Sequence, residues 1–67
     1  MSESREHPLR KARRKRGLSL EKLADQIGID IGALSRYERG LRAPSLESAN
    51  RLLDFFPELK LRDLRLQ

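Results

Sequence analysis

Residues 19–40 read Ser-Leu-Glu-Lys-Leu-Ala-Asp-Gln-Ile-Gly-Ile-Asp-Ile-Gly-Ala-Leu-Ser-Arg-Tyr-Glu-Arg-Gly. Leu20, Leu23, Ala24 and Ile27 stand at i, i+3, i+4 and i+7, the stripe that one face of a helix buries. Ser19 is a good N-cap, and Glu21 lies in the positive first turn. Gly28 follows the last apolar residue, where a left-handed residue ends a helix. Asp30 then caps a second helix expected over Ile31 to Arg39. On it, Leu34, Tyr37 and Glu38 share the inward face. Ile31, Gly32, Ser35, Arg36 and Arg39 are left outside. Tyr37, the only tyrosine, is read as core rather than as a stacking platform.

Upstream, Pro8 suits the first turn of a helix running to Arg16, because its missing N–H is an orphan there anyway. Leu9, Ala12 and Arg13 share one face of that helix, and Gly17 closes it. Downstream, Pro44-Ser45 opens a fourth helix whose repeat is Leu46, Ala49, Leu52, Leu53 and Phe56, and Pro57 stops it. In residues 58–67, Leu61 and Leu64 at i, i+3 favour a short fifth helix. Leu59 and Leu61 alternate with Lys60 and Arg62 and would also suit a strand, but the alternation breaks at Asp63-Leu64. The expectation is an all-α fold: one domain over residues 1–67, a compact bundle of four to five short helices, with residues 1–6 flexible.

The chain has 67 residues, 37% apolar and 37% charged, with no cysteine and one histidine, His7. Without cysteine there is neither a disulfide nor a thiolate metal site. No metal-ligand set, nucleophile–base pair or glycine-rich phosphate loop is present, so no enzyme activity, metal or cofactor is expected. No apolar run approaches the roughly 20 residues of a membrane helix, and no apolar stretch follows the basic N-terminus, so a secretory signal is not expected. A cytoplasmic address follows as an expectation.

The net charge of +5 is unevenly placed. Arg5, Arg10, Lys11, Arg13, Arg14, Lys15 and Arg16 stand against Glu3 and Glu6 in the first 17 residues, while the remaining 50 balance at eight and eight. All the excess sits on the first helix and points to a polyanion, or else to a plain solvated face. Few large apolar residues accompany those charges, which argues against a membrane-surface helix.

Two apolar-faced helices joined by Gly28-Ile29-Asp30 form the layout of a helix-turn-helix. Here the chain resembles the lambda-repressor and Cro-like regulators, the XRE family. The resemblance runs through Leu9-Arg10…Arg13, Gly17-Leu18-Ser19…Leu23-Ala24, Ile27-Gly28, Leu34-Ser35-Arg36…Glu38…Gly40 and Arg42-Ala43-Pro44-Ser45…Glu47. It covers about residues 8–56.

The resemblance implies a double-stranded DNA-binding transcription regulator, with the third helix in the major groove and its N-terminal residues on base edges. It places Asp30, Ile31, Gly32 and Arg36 at the base-reading positions. Arg10, Arg14, Ser19, Lys22, Ser35, Arg39 and Arg42 are the expected backbone contacts. Relatives often carry Gln, Ser, Thr or Asn where Ile31 and Gly32 stand, and commonly a phosphate-holding glutamine at Leu20. Ile31 retains only apolar contact with a thymine methyl, which leaves Arg36 as the strongest reader through guanine O6 and N7. Asp30 suits either a cytosine amino group or the cap, with the cap favoured. Arg13 and Glu38 lie on inward helix edges, where an unpaired charge is costly; the resemblance implies a structural ion pair between them.

The length leaves no room for a sensing domain, which suggests a Cro-like repressor of phage, plasmid or bacterial origin. It would bind a palindromic operator as a homodimer and need no small-molecule ligand. Phe55, Leu59, Leu64 and Leu66 are the expected dimer contact. The competing reading is a protein–protein module of the same fold, an antitoxin or docking adaptor, to which the apolar Ile31-Gly32-Ala33 stretch lends force.

Overall fold

A computed structural model describes residues 6–65. Four helices follow one another: α1 (Pro8–Lys15), α2 (Leu20–Ile27), α3 (Ile31–Glu38) and α4 (Leu46–Phe55), then a 3-10 turn over Leu61–Leu64. The described residues contain no strand, so the fold is the all-α bundle the periodicity implies.

Local chemistry sets each boundary. Ser19, Asp30 and Ser45 accept from the backbone N–H of Lys22, Ala33 and Ser48 at 3.0, 3.0 and 3.2 Å, which satisfies an orphan donor at the start of α2, α3 and α4. Gly28 ends α2 with φ 74°, and its N–H donates to the Ala24 carbonyl. A side chain there would be strained by the left-handed backbone, and its Cβ would stand 3.1 Å from the Arg51 guanidinium. Arg51 in turn donates to the Gly28 carbonyl at 3.0 Å, fastening the turn to α4.

The core draws on every element: Leu9 and Ala12 from α1, Leu23, Ala24 and Ile27 from α2, Leu34 and Tyr37 from α3, Ala49 and Leu52 from α4. Ile29 seals the turn, and Phe56, Leu59 and Leu64 close the bundle from the C-terminal side. Leu9, Leu23, Leu34, Leu52 and Phe56 are wholly buried; each such side chain contributes roughly 1.5–3 kcal/mol relative to staying exposed. The α2–α3 pair is held rigidly by this packing, and that positions the exposed end of α3.

Several expectations are corrected. Leu59 and Leu64 are 8% and 3% exposed, so their side chains are consumed by the chain's own core and are not left over for a second subunit. Phe55 is half-buried, and Leu66 lies outside the described residues. The tail, in contrast, is helical as the i, i+3 spacing favours, a 3-10 helix over Leu61–Leu64, with Leu61 44% exposed. It is pinned by the Asp63 carboxylate, which accepts from the Lys60 N–H at 2.9 Å. Leu46 does not join the α4 stripe. It is 71% exposed at the first residue of the helix, where loop 41–45 leads in over the surface. Of the segment expected to be flexible, residues 1–5 lie outside the described ones. Glu6 is half-buried, and its carboxylate lies 2.7 Å from Arg14 and 3.8 Å from Arg10.

Candidate nucleic-acid interface

The N-terminal end of α3 is the exposed end of the helix-turn-helix. Asp30 spends one carboxylate oxygen on the Ala33 N–H, so its cap role holds, while the residue remains exposed. Ile31 is 45% exposed and lines a shallow cleft with Ala24 and Ile29, rimmed by Glu21, Lys22 and Asp25. Gly32 is half-buried and Arg36 is exposed. Among the described residues no carboxylate pairs with Arg36, so its guanidinium fork is open to an outside acceptor.

The opposite face of α3 is anchored. Glu38 is 7% exposed, and its two oxygens accept from Arg13 Nε at 2.6 Å and Arg13 Nη2 at 3.1 Å. Arg13 Nη1 donates to the Leu18 carbonyl at 2.7 Å, so one arginine ties α1, the loop before α2, and α3 together. No buried side-chain nitrogen or oxygen among the described residues is left without a partner. A buried pair this fully satisfied fixes where α3 lies relative to α1.

The expected backbone contacts fall into two groups. Lys22, Arg39 and Arg42 are exposed with no ion pair among the described residues, although Arg39 Nε reaches the Ser35 carbonyl at 3.4 Å. Ser19 accepts as the α2 cap and still has its hydroxyl proton to donate to a phosphate. Ser35 is half-buried on α3. Arg10 and Arg14, by contrast, converge on Glu6, which a phosphate would have to displace.

Three arrangements escaped the sequence reading. His7 is the N-cap of α1, its Nδ1 accepting from the Leu9 N–H at 3.0 Å. Burial lowers its pKa, opposed by the Glu38 and Asp63 carboxylates. The signal was Pro8 at the first helical position, which makes the preceding residue the cap. Arg16 donates to the Phe55 carbonyl at 2.7 Å and lies over the Phe56 ring, 4.6 Å from its centroid. The Arg51–Gly28 bond likewise had no local sequence signature.

Two eight-residue helices joined through a left-handed glycine, with an exposed start to the second, form a helix-turn-helix. The family model described as "Helix-turn-helix" matches residues 9–64, and the chain belongs to that family, the lambda repressor-like helix-turn-helix DNA-binding regulators. No curated protein and no solved structure matches the chain. No described helix is long and apolar enough to cross a membrane.

Proposed function

We propose that the protein is a Cro-like transcriptional repressor that binds a palindromic operator as a homodimer, with α3 in the major groove. The observation that carries the reading is the open Arg36 fork at the exposed end of a helix whose other face is locked by Arg13–Glu38. A rigid helix with an unpaired arginine on its outer face is what base reading requires. Asp30, Ile31 and Gly32 complete the reading end. Ser19, Lys22, Ser35, Arg39 and Arg42 supply backbone contacts, joined by Arg10 and Arg14 once Glu6 yields to phosphate.

One recognition helix reads only a few base pairs, so a two-fold pair is needed for adequate discrimination. With Leu59 and Leu64 inside the core, Phe55 is what remains of the expected contact among the described residues. A dimer of so small an area is weak alone and is tightened by DNA.

Selection of bound fragments from a random duplex pool tests the proposal. An enriched palindrome with half-sites about one helical turn apart supports it; no enrichment over the starting pool overturns it. The second reading, a docking module, is favoured by one observation: exposed Ile31 beside the cleft formed with Ala24 and Ile29. Binding that survives high salt would point to it, because phosphate contacts weaken steeply with salt.

A further inference from the structure

Gly32 is an anomaly in α3. It stands at the second residue of an eight-residue helix, with no positive φ that would call for glycine. Glycine weakens a helix relative to alanine, so neither the turn nor the helix explains it. The space around it does. A Cβ built at position 32 would lie 3.0 Å from the Asp30 Oδ2 and 3.8 Å from the Arg36 Nη1. The glycine therefore leaves a notch in the first turn of the helix. The Asp30 carboxylate stands at one edge, closer than a Cβ would tolerate without a shift, and the Arg36 Nη1 stands at the other, at ordinary contact distance.

The two groups that border this notch are complementary in hydrogen bonding. Arg36 offers two parallel donors, and Asp30 offers acceptors, with only Oδ2 engaged by the Ala33 N–H. They do not neutralise each other, since no Asp30–Arg36 ion pair forms. In the major groove a G·C pair presents two acceptors, guanine N7 and O6, followed by one donor, the cytosine N4 amino group. Two donors followed by an acceptor is the matching set. An A·T pair places its adenine amino donor where the second arginine N–H would go.

We infer that Gly32 is a specificity-positioning residue: it opens the notch that lets Arg36 and Asp30 together read a single G·C base pair. This rests on the DNA-binding reading above and adds to it the base pair read and the residue that permits it. Gly32 contributes no hydrogen bond of its own; it acts through where Arg36 and Asp30 are allowed to lie. A methyl at position 32 presses on the Asp30 carboxylate first, and a longer side chain fills the space the guanidinium uses.

The test starts from the full-length protein and the operator selected from the random pool, with every base pair of one half-site replaced in turn. Wild type should prefer G·C at one position by roughly tenfold or more, the discrimination of a good bidentate contact. Gly32→Ala should reduce that preference and Gly32→Leu should abolish it, as Arg36→Ala does. The double variant Gly32→Leu/Arg36→Ala should be no less selective at that position than either single one. Preferences at other positions should stay within about twofold, and circular dichroism should show both Gly32 variants folded at the binding temperature, where pressure on the Asp30 cap offsets the gain from a better helix former. Retention of the G·C preference in Gly32→Leu, or an equal loss on every duplex, overturns the inference while leaving DNA binding intact. Failure of wild type to enrich any sequence overturns the parent reading instead.

Discussion

Arg13 of α1 and Glu38 in the last turn of α3 meet in a two-point ion pair, with Nε–Oε2 at 2.6 Å and Nη2–Oε1 at 3.1 Å and side chains only 13% and 6% exposed. The third arginine nitrogen holds the Leu18 carbonyl, so all three nitrogens of the guanidinium are engaged. Breaking a buried pair leaves the surviving charge stranded. Arg13→Ala or Glu38→Ala should therefore destabilise by roughly 3–5 kcal/mol, while matched apolar replacement of both costs much less. Urea unfolding of the three variants measures this; equal losses in the singles and the double would contradict the coupling.

His7 makes the first turn of α1 sensitive to acid. As N-cap its ring accepts through Nδ1, which only the unprotonated nitrogen can do. Burial lowers its pKa below 6.5 in the fold. The stabilisation from the neutral ring is fully present above the unfolded value of 6.5 and is lost as pH falls through the lower folded value. The melting temperature should drop between about pH 7 and about pH 5 by more in wild type than in His7→Asn, which keeps a cap and does not titrate. Parallel curves for the two proteins would contradict the assignment.

Gly28 is the residue on which the turn between α2 and α3 depends. Gly28→Ala should cost roughly 1–2 kcal/mol from the left-handed backbone alone. The 3.1 Å approach of a new Cβ to the Arg51 guanidinium adds to that. Gly28→Asn should cost less, because asparagine tolerates this conformation better. Thermal melts of both variants check the order, and the reverse order would contradict it.

Base and backbone contacts should separate in binding data. Arg36→Ala should alter affinity at one or two operator positions. Arg10→Ala and Arg14→Ala should weaken all sequences alike and flatten the salt dependence. Since Glu6 holds both arginines, Glu6→Gln should tighten binding on every duplex. Titrations on single-base operator variants at several salt concentrations decide it; a uniform loss for Arg36→Ala would place that residue on the backbone instead.

The helix-turn-helix was legible because its signals are local and redundant. The Leu20–Ile27 stripe, the Ser19 and Asp30 caps and Gly28 each imply the same boundaries, and all three appear where expected. Glu38 and Tyr37 were legible as inward residues for the same reason of helical spacing. Leu59 and Leu64 were not placed correctly, because a short polar-apolar tail has no period long enough to show which face meets the core. Leu46 matched the α4 repeat, but spacing says nothing about where the supporting surface ends. The arginine bonds from Arg16 to Phe55 and from Arg51 to Gly28 span 39 and 23 residues, and such contacts carry no periodic signature. At the candidate site, exposure of Arg36 was legible, whereas the notch at Gly32 needed coordinates.

The most direct test of the account is the map of backbone amide shift changes when the selected duplex is added to the isotope-labelled protein. The account predicts the largest changes at Ser19 to Lys22 and at Asp30 to Arg36, with the buried Arg13–Glu38 contact undisturbed and the whole effect fading as salt is raised. Changes confined to the α4 and 3-10 face, with Asp30 to Arg36 unmoved, would contradict it.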